Sequence, residues 1–269
     1  MQIKKSFALL TAAVASISLA ACSSDSSDSA SSDSSSGGDN YILANGTEPQ
    51  NPLLPGNTNE VGGGNIMGNI FAGLVYYDET GAVQNEIAES IEPNDDNTEF
   101  TVKLKDWKFS DGTDVTANSF VDAWNYAVAN DQLNGYFFEP IKGYAEGVES
   151  LEGLKVIDDK TFTITLSQSE ADFPQRLGYT AFFPLPESAF DDMDAFGESP
   201  ISTGPYKLAE WNHNQDATIV PNENYTGGRT PKNDGVKFVF YPTQDSAYSD
   251  LLGGNLDVLD AIPDSAFAT

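Results

Sequence analysis

The sequence predicts a mixed α/β protein. Segments with apolar residues at every second position are interspersed with one at helical spacing, and turn signals separate them. Beginning at the first of these elements, Tyr41-Ile-Leu-Ala44 reads as a short strand. In 98–104, Phe100, Val102 and Leu104 share one face, as in a half-buried strand. Asp111-Gly112 is a tight-turn pair, and Thr116 is a helix N-cap. After it, Phe120, Val121, Trp124, Ala127 and Val128 recur on one stripe of an amphipathic helix. Residues 154–157 and 161–166 form a hairpin around Asp158-Asp159, with Phe162, Ile164 and Leu166 alternating. Val236, Phe238 and Phe240 mark a further strand. No internal repeat is visible.

The N-terminus reads as an export signal. Lys4 and Lys5 precede an uncharged run from Phe7 to Leu19, which is shorter than the ~20 residues a membrane-spanning helix needs. The run ends in Leu19-Ala20-Ala21-Cys22, which resembles the bacterial lipobox. The resemblance implies that residues 1–21 are a signal peptide and that Cys22 carries a diacylglycerol. Cys22 is the sole cysteine, so an internal disulfide is excluded. Residues 23–38 are almost all Ser, Asp and Gly and hold too little apolar surface to offset the cost of ordering. Residues 22–40 are therefore expected to be a tether that begins at the lipid. The expected location is extracytoplasmic, anchored to the cell membrane by that lipid, in the periplasmic space or on the outer face of the cytoplasmic membrane. Buried methylenes would hold it at ~0.8 kcal/mol each.

The about 230 residues after the tether suffice for one large domain or two small ones. The chain's 16 Phe, 11 Tyr and 3 Trp, all but Phe7 beyond the tether, supply a core. The formal charge of −28 repels nucleic acid and anionic lipid headgroups, and the acidic residues are spread as on a solvated surface. After the signal, no apolar run is long enough for a transmembrane helix. The composition speaks against an enzyme. One histidine, His213, and one lipid-bearing cysteine give no basis for a histidine triad or a cysteine nucleophile. The same poverty argues against a metal site, and no cofactor is expected. Gly62-Gly63-Gly64 lacks the Gly-Lys-Ser/Thr ending of a phosphate loop. His213, in Trp211-Asn-His-Asn214, reads as a surface strand or turn residue. The periodicity of Trp107, Phe109, Phe120 and Trp124 indicates core rather than a ligand cage, and Phe182-Phe183-Pro184 reads as packing.

Several segments together resemble the oligopeptide and dipeptide solute-binding proteins of ABC importers. The longest runs from Ala88-Glu-Ser-Ile-Glu-Pro93 through Thr101-Val-Lys-Leu-Lys-Asp-Trp107 to Lys108-Phe-Ser-Asp-Gly-Thr-Asp-Val-Thr-Ala117. Gly46-Thr-Glu-Pro-Gln50, Phe71-Ala-Gly-Leu-Val-Tyr-Tyr-Asp78, Ser202-Thr-Gly-Pro-Tyr206, Pro221-Asn-Glu-Asn-Tyr225 and Gly254-Asn-Leu-Asp-Val258 follow in the family's order.

The resemblance implies a periplasmic-binding-protein-like type II fold, in which two lobes joined by hinge strands enclose a peptide. Residues 41–70 and 189–261 are then the first lobe, and 71–188 an inserted subdomain. Residues 262–269 begin the hinge into a second lobe that this chain lacks, as in a truncated product. With that lobe absent, an exposed edge strand and exposed apolar hinge surface are expected, with self-association or lowered stability. The expected partners are short peptides and an ABC permease complex in the membrane. Peptide-contacting residues implied by the resemblance are Asn59, Glu60 and Val61, with a glycine-flanked loop as the alternative, and Tyr136, with core packing as the alternative. Other solutes, or an adhesion or partner-binding role for a surface lipoprotein, remain as alternative functions.

Overall fold

A computed structural model describes residues 40–268. The signal peptide, Cys22 and the tether up to residue 39 lie outside the described residues. The elements in chain order are β1 (Tyr41–Gly46), α1 (Val61–Ile70), β2 (Val75–Tyr77), β3 (Val83–Asn85), β4 (Ala88–Pro93) and β5 (Glu99–Leu104). There follow α2 (Ala117–Ala129), β6 (Leu154–Asp158), β7 (Thr161–Thr165), α3 (Met193–Glu198), β8 (Tyr206–Asn212), β9 (Asp216–Pro221), β10 (Gly235–Phe240) and α4 (Gln244–Gly253). One four-stranded sheet has the order β1-β10-β9-β8, with β1 parallel to β10 and the other pairs antiparallel. A second, wholly antiparallel sheet has the order β4-β5-β7-β6. The hairpin β2–β3 stands apart from both.

The alternation in β5 and β7 does what it predicts. Phe100 lies opposite Ile164 and Val102 opposite Phe162, so both strands turn one apolar face inward. Helix α2 covers that face. Thr116 is its N-cap, and the Ser119 hydroxyl accepts the Thr116 backbone N–H at 3.2 Å. The ring of Phe162 lies 5.9 Å from Phe120 and 5.8 Å from Trp124. Trp124 is fully buried, and its indole N–H donates to the Phe182 carbonyl at 3.1 Å, so its one polar atom is satisfied. The four aromatics Trp107, Phe109, Phe120 and Trp124 are core, as are Phe182 and Phe183.

The Ser202-Thr-Gly segment forms a seam before β8. The Thr203 hydroxyl donates to the Ala72 carbonyl and accepts its N–H, both at 3.0 Å, while Trp107 Nε1 donates to the Thr203 carbonyl. Gly204 donates to Ile70 at 2.7 Å, and a Cβ there would sit 2.6 Å from the Ile70 carbonyl carbon. Only glycine lets the two chains approach this closely.

Beyond α4 the chain returns to β1. Val258 bridges Ala44 in parallel, and the side chains of Asn45 and Asp260 bond each other's segment at 2.7 and 2.8 Å. The second edge of β1 is therefore partly covered. Apolar surface is exposed nearby, at Leu252, Val258, Ile262 and Phe267.

Candidate functional site

The segment 53–61 is built from the inside outward. Leu53 and Leu54 are buried, and the Thr58 hydroxyl accepts the Leu54 N–H and donates to the Pro52 carbonyl. Val61 then opens a helix rather than continuing a glycine loop. Three glycines in its first turn oppose helix formation by ~1 kcal/mol each relative to alanine. Tertiary space decides otherwise at two of them. A Cβ on Gly62 would lie 2.3 Å from the Thr47 carbonyl oxygen, and one on Gly63 would lie 2.6 Å from Thr58 Cγ2. Burial of Ile66, Met67 and Ile70 offsets the propensity cost.

This local structure sorts the predicted contact residues. Both carboxylate oxygens of Glu60 accept the Gly63 N–H, at 3.0 and 2.9 Å, so its side chain is committed to capping α1. Asn59 is exposed, and Val61 is 69% exposed. Among the described residues, no hydrogen bond engages the Asn59 main chain or the Val61 N–H. What this segment offers outward is therefore main chain, the Asn59 side chain and the apolar side chain of Val61.

Tyr136 sits on a 3₁₀ turn, Gly135–Phe138, that divides its aromatics. Phe138 is buried against Trp124, at 5.9 Å. Tyr136 is 57% exposed and stacks 4.5 Å from Phe137, which in turn stacks 4.3 Å from Tyr179. Core packing thus describes Phe138, and Tyr136 heads an outward aromatic row. A cleft of about 350 Å³ adjoins it, lined by Asp131, Gln132, Leu133, Tyr144 and Glu146 among others. Burial, with the charges of Glu146, Glu139 and Asp131, pushes the Tyr144 phenol above its ordinary range. A separate cleft of about 770 Å³ contains none of the four candidate residues and is rimmed by carboxylates, including Asp122 and Glu187.

The two candidate segments are joined by a residue whose pairing no local sequence signal reveals. Asn134 is fully buried, and its backbone N–H donates to the Gly56 carbonyl at 2.8 Å. Its Nδ2 donates to the carbonyls of Pro55 and Thr58, each at 2.9 Å. Asn134-Gly135 signals a turn, but not partners more than seventy residues away.

His213 is exposed in the β8–β9 turn, as expected, and bridges two carboxylates. Its Nδ1 lies 2.8 Å from Glu48 Oε1 and its Nε2 2.9 Å from Glu198 Oε2. Among the described residues, no group of three or more His, Cys, Asp or Glu side chains could hold a metal ion.

This fold is shared with known solute-binding proteins. Residues 82–269 match the family model described as "Bacterial extracellular solute-binding proteins, family 5 Middle", and the chain belongs to that family. It is 29% identical over 202 residues to the dipeptide-binding protein DppE of Bacillus subtilis, covering 71% of this chain and 37% of that one. It is 32% identical over 197 residues to the periplasmic oligopeptide-binding protein OppA of Escherichia coli, covering 68% and 36%. The solved structure of Haemophilus influenzae OppA in complex with the peptide RPPGFSPFR superposes with a TM-score of 0.78 at 25% identity, over 86% of this chain and 48% of that one. The fold is accordingly that of the periplasmic-binding-protein-like group. The chain spans less than half the length of each of these relatives.

Proposed function

We propose that this chain is the peptide-capturing component of an ABC importer, held outside the cytoplasmic membrane by a diacylglycerol on Cys22. In this reading, residues 41–70 and 189–261 form the first lobe, 71–188 its inserted subdomain, and 262–269 the approach to a hinge. Family membership together with peptide-binding relatives carries the proposal. The unengaged main chain of Asn59 and N–H of Val61 support it, because an extended peptide can pair there as an added strand. Main-chain pairing is common to all peptides, so selectivity for side chains should be low. Tyr136 would supply an aromatic surface for one peptide side chain. The role is capture and delivery, without chemistry on the ligand.

Calorimetric titration with di- to pentapeptides of different composition tests the proposal. It predicts saturable heat that varies little with peptide sequence. A folded protein that gives no heat with any of them, yet binds a macromolecule, would overturn it. Intact mass of the protein extracted from membranes tests the anchor, which requires an acylated N-terminal Cys22.

A further inference from the structure

We propose that Asn134 is a positioning residue that sets the relative placement of the 59–61 main chain and the Tyr136 turn, so that one peptide meets both. The inference rests on the peptide-binding reading and concerns how that site is assembled.

Asn134 is a polar side chain with no solvent exposure. A buried amide is tolerated only when its hydrogen bonds are made, so its donors must find fixed partners. All three do: the backbone N–H with Gly56, and the side-chain amide with Pro55 and Thr58. The two carbonyl partners also fix the orientation of the amide. The opposite flip would turn Oδ1 onto two carbonyl oxygens and lose both bonds. Asn134 Oδ1 accepts no bond among the described residues, so the two Nδ2 bonds alone hold the amide in this orientation.

The grip falls close to both candidate contacts. Thr58 immediately precedes Asn59, and Asn134 stands two residues before Tyr136. A second tie reinforces the joint, with the Leu133 N–H donating to Asn57 Oδ1 at 3.2 Å. Gly56 allows this close approach, since a Cβ there would collide with Gln132 Oε1 and lie 2.8 Å from the Cβ of Ala127 on α2. Other residues fail at position 134 for chemical reasons. Aspartate would set a carboxylate against two carbonyls, and alanine would leave those carbonyls unpaired. The apolar support of each loop lies elsewhere, in Ile66, Met67 and Ile70 of α1 and in the Trp124–Phe138 contact. Loss of Asn134 should therefore free the loops from one another and leave both elements folded.

The test uses the full chain, with tetra-alanine as the probe and two variants, Asn134→Ala and the milder Asn57→Ala. The expected loss of affinity is about tenfold for N134A and about two- to threefold for N57A. Without peptide, the amide signals of Asn59 to Val61 and the ring signals of Tyr136 should shift together in N134A. The α2 and β5 signals should stay at their wild-type positions, which a general structural defect would not allow. If N134A fails to fold, N57A carries the same test. Wild-type-like affinity in a folded variant, or unshifted signals at 59–61 and 136, would overturn the inference alone. A wild-type protein that does not bind tetra-alanine would remove the peptide reading, and this inference with it.

Discussion

Glu86 is the most consequential buried charge, and its removal can be assigned a cost. It is 3% exposed and takes a bidentate pair from Arg229, Nε to Oε1 and Nη2 to Oε2, both at 2.9 Å. The Tyr225 hydroxyl donates to Glu86 Oε1 at 2.7 Å. Arg229 also reaches the carbonyls of Gly68 and Phe71, so the cluster fastens the 222–234 connection to the end of α1. Burial works against the Arg229 charge, but Glu86 and Tyr225 outweigh it and hold the guanidinium firmly protonated. Burial, and then the neighbouring carboxylate, push the Tyr225 phenol up to about 12. Glu86→Gln keeps the shape and removes the countercharge. Breaking a buried pair costs ~3–5 kcal/mol, and the 31% exposure of the Arg229 side chain lets water screen part of that, leaving ~2–3 kcal/mol. Replacing both charges, Glu86→Leu with Arg229→Met, should recover at least half of the loss, because no lone charge remains. Urea unfolding at pH 7, with the slope checked for constancy, reads both variants. A loss below ~0.5 kcal/mol for E86Q, or a double variant as damaged as the single one, would refute the reasoning.

Other consequences follow from the same structure. The hydrogen bond His213 makes to Glu48 raises its pKa most; burial, next in size, opposes it, and the bond to Glu198 adds to the rise, so the net shift is upward. The imidazolium's stabilisation is therefore fully present below the unfolded pKa of ~6.5 and is lost as pH rises through the higher folded value. Melting temperatures from pH 5 to 9 should show this slope in the wild type and not in His213→Gln. Gly204→Ala should cost ~1–3 kcal/mol through collision with Ile70, whereas Gly64→Ala, with open space at its Cβ, should stabilise α1 by ~0.5–1 kcal/mol. Chemical denaturation distinguishes the two signs. Leu252 and Phe267, 71% and 73% exposed, should promote association at high concentration. Sedimentation velocity on the Leu252→Ser/Phe267→Ser variant should show that association reduced.

Elements with a single dominant period were legible in the sequence. β5, β7 and α2 each carry apolar residues at the spacing of their structure, and their partners lie on the facing element. The failure at α1 has a local cause: three glycines mask a helix whose stability comes from burial and close approach to Thr47 and Thr58. Helix α4 carried end signals, a Thr243 cap and a left-handed Gly254, but buries only Ala247, so no stripe announces it. The exposure of Tyr136 beside the burial of Phe138 depends on which way a 3₁₀ turn faces, and periodicity does not reach that scale. Asn134 and the Glu86–Arg229 pair join residues far apart in the chain. Neither residue type nor spacing encodes such a pairing.

Peptide capture is tested most directly by mapping a titration onto the chain. The measurement is a nuclear magnetic resonance titration of the isotope-labelled protein with tri- and tetra-alanine up to millimolar concentration. Saturable shifts concentrated at Asn59 to Val61 and at Tyr136, with little change on exchanging alanine for other residues, are the predicted result. Shifts that do not saturate, or that cluster away from these two segments in a folded protein, would contradict it.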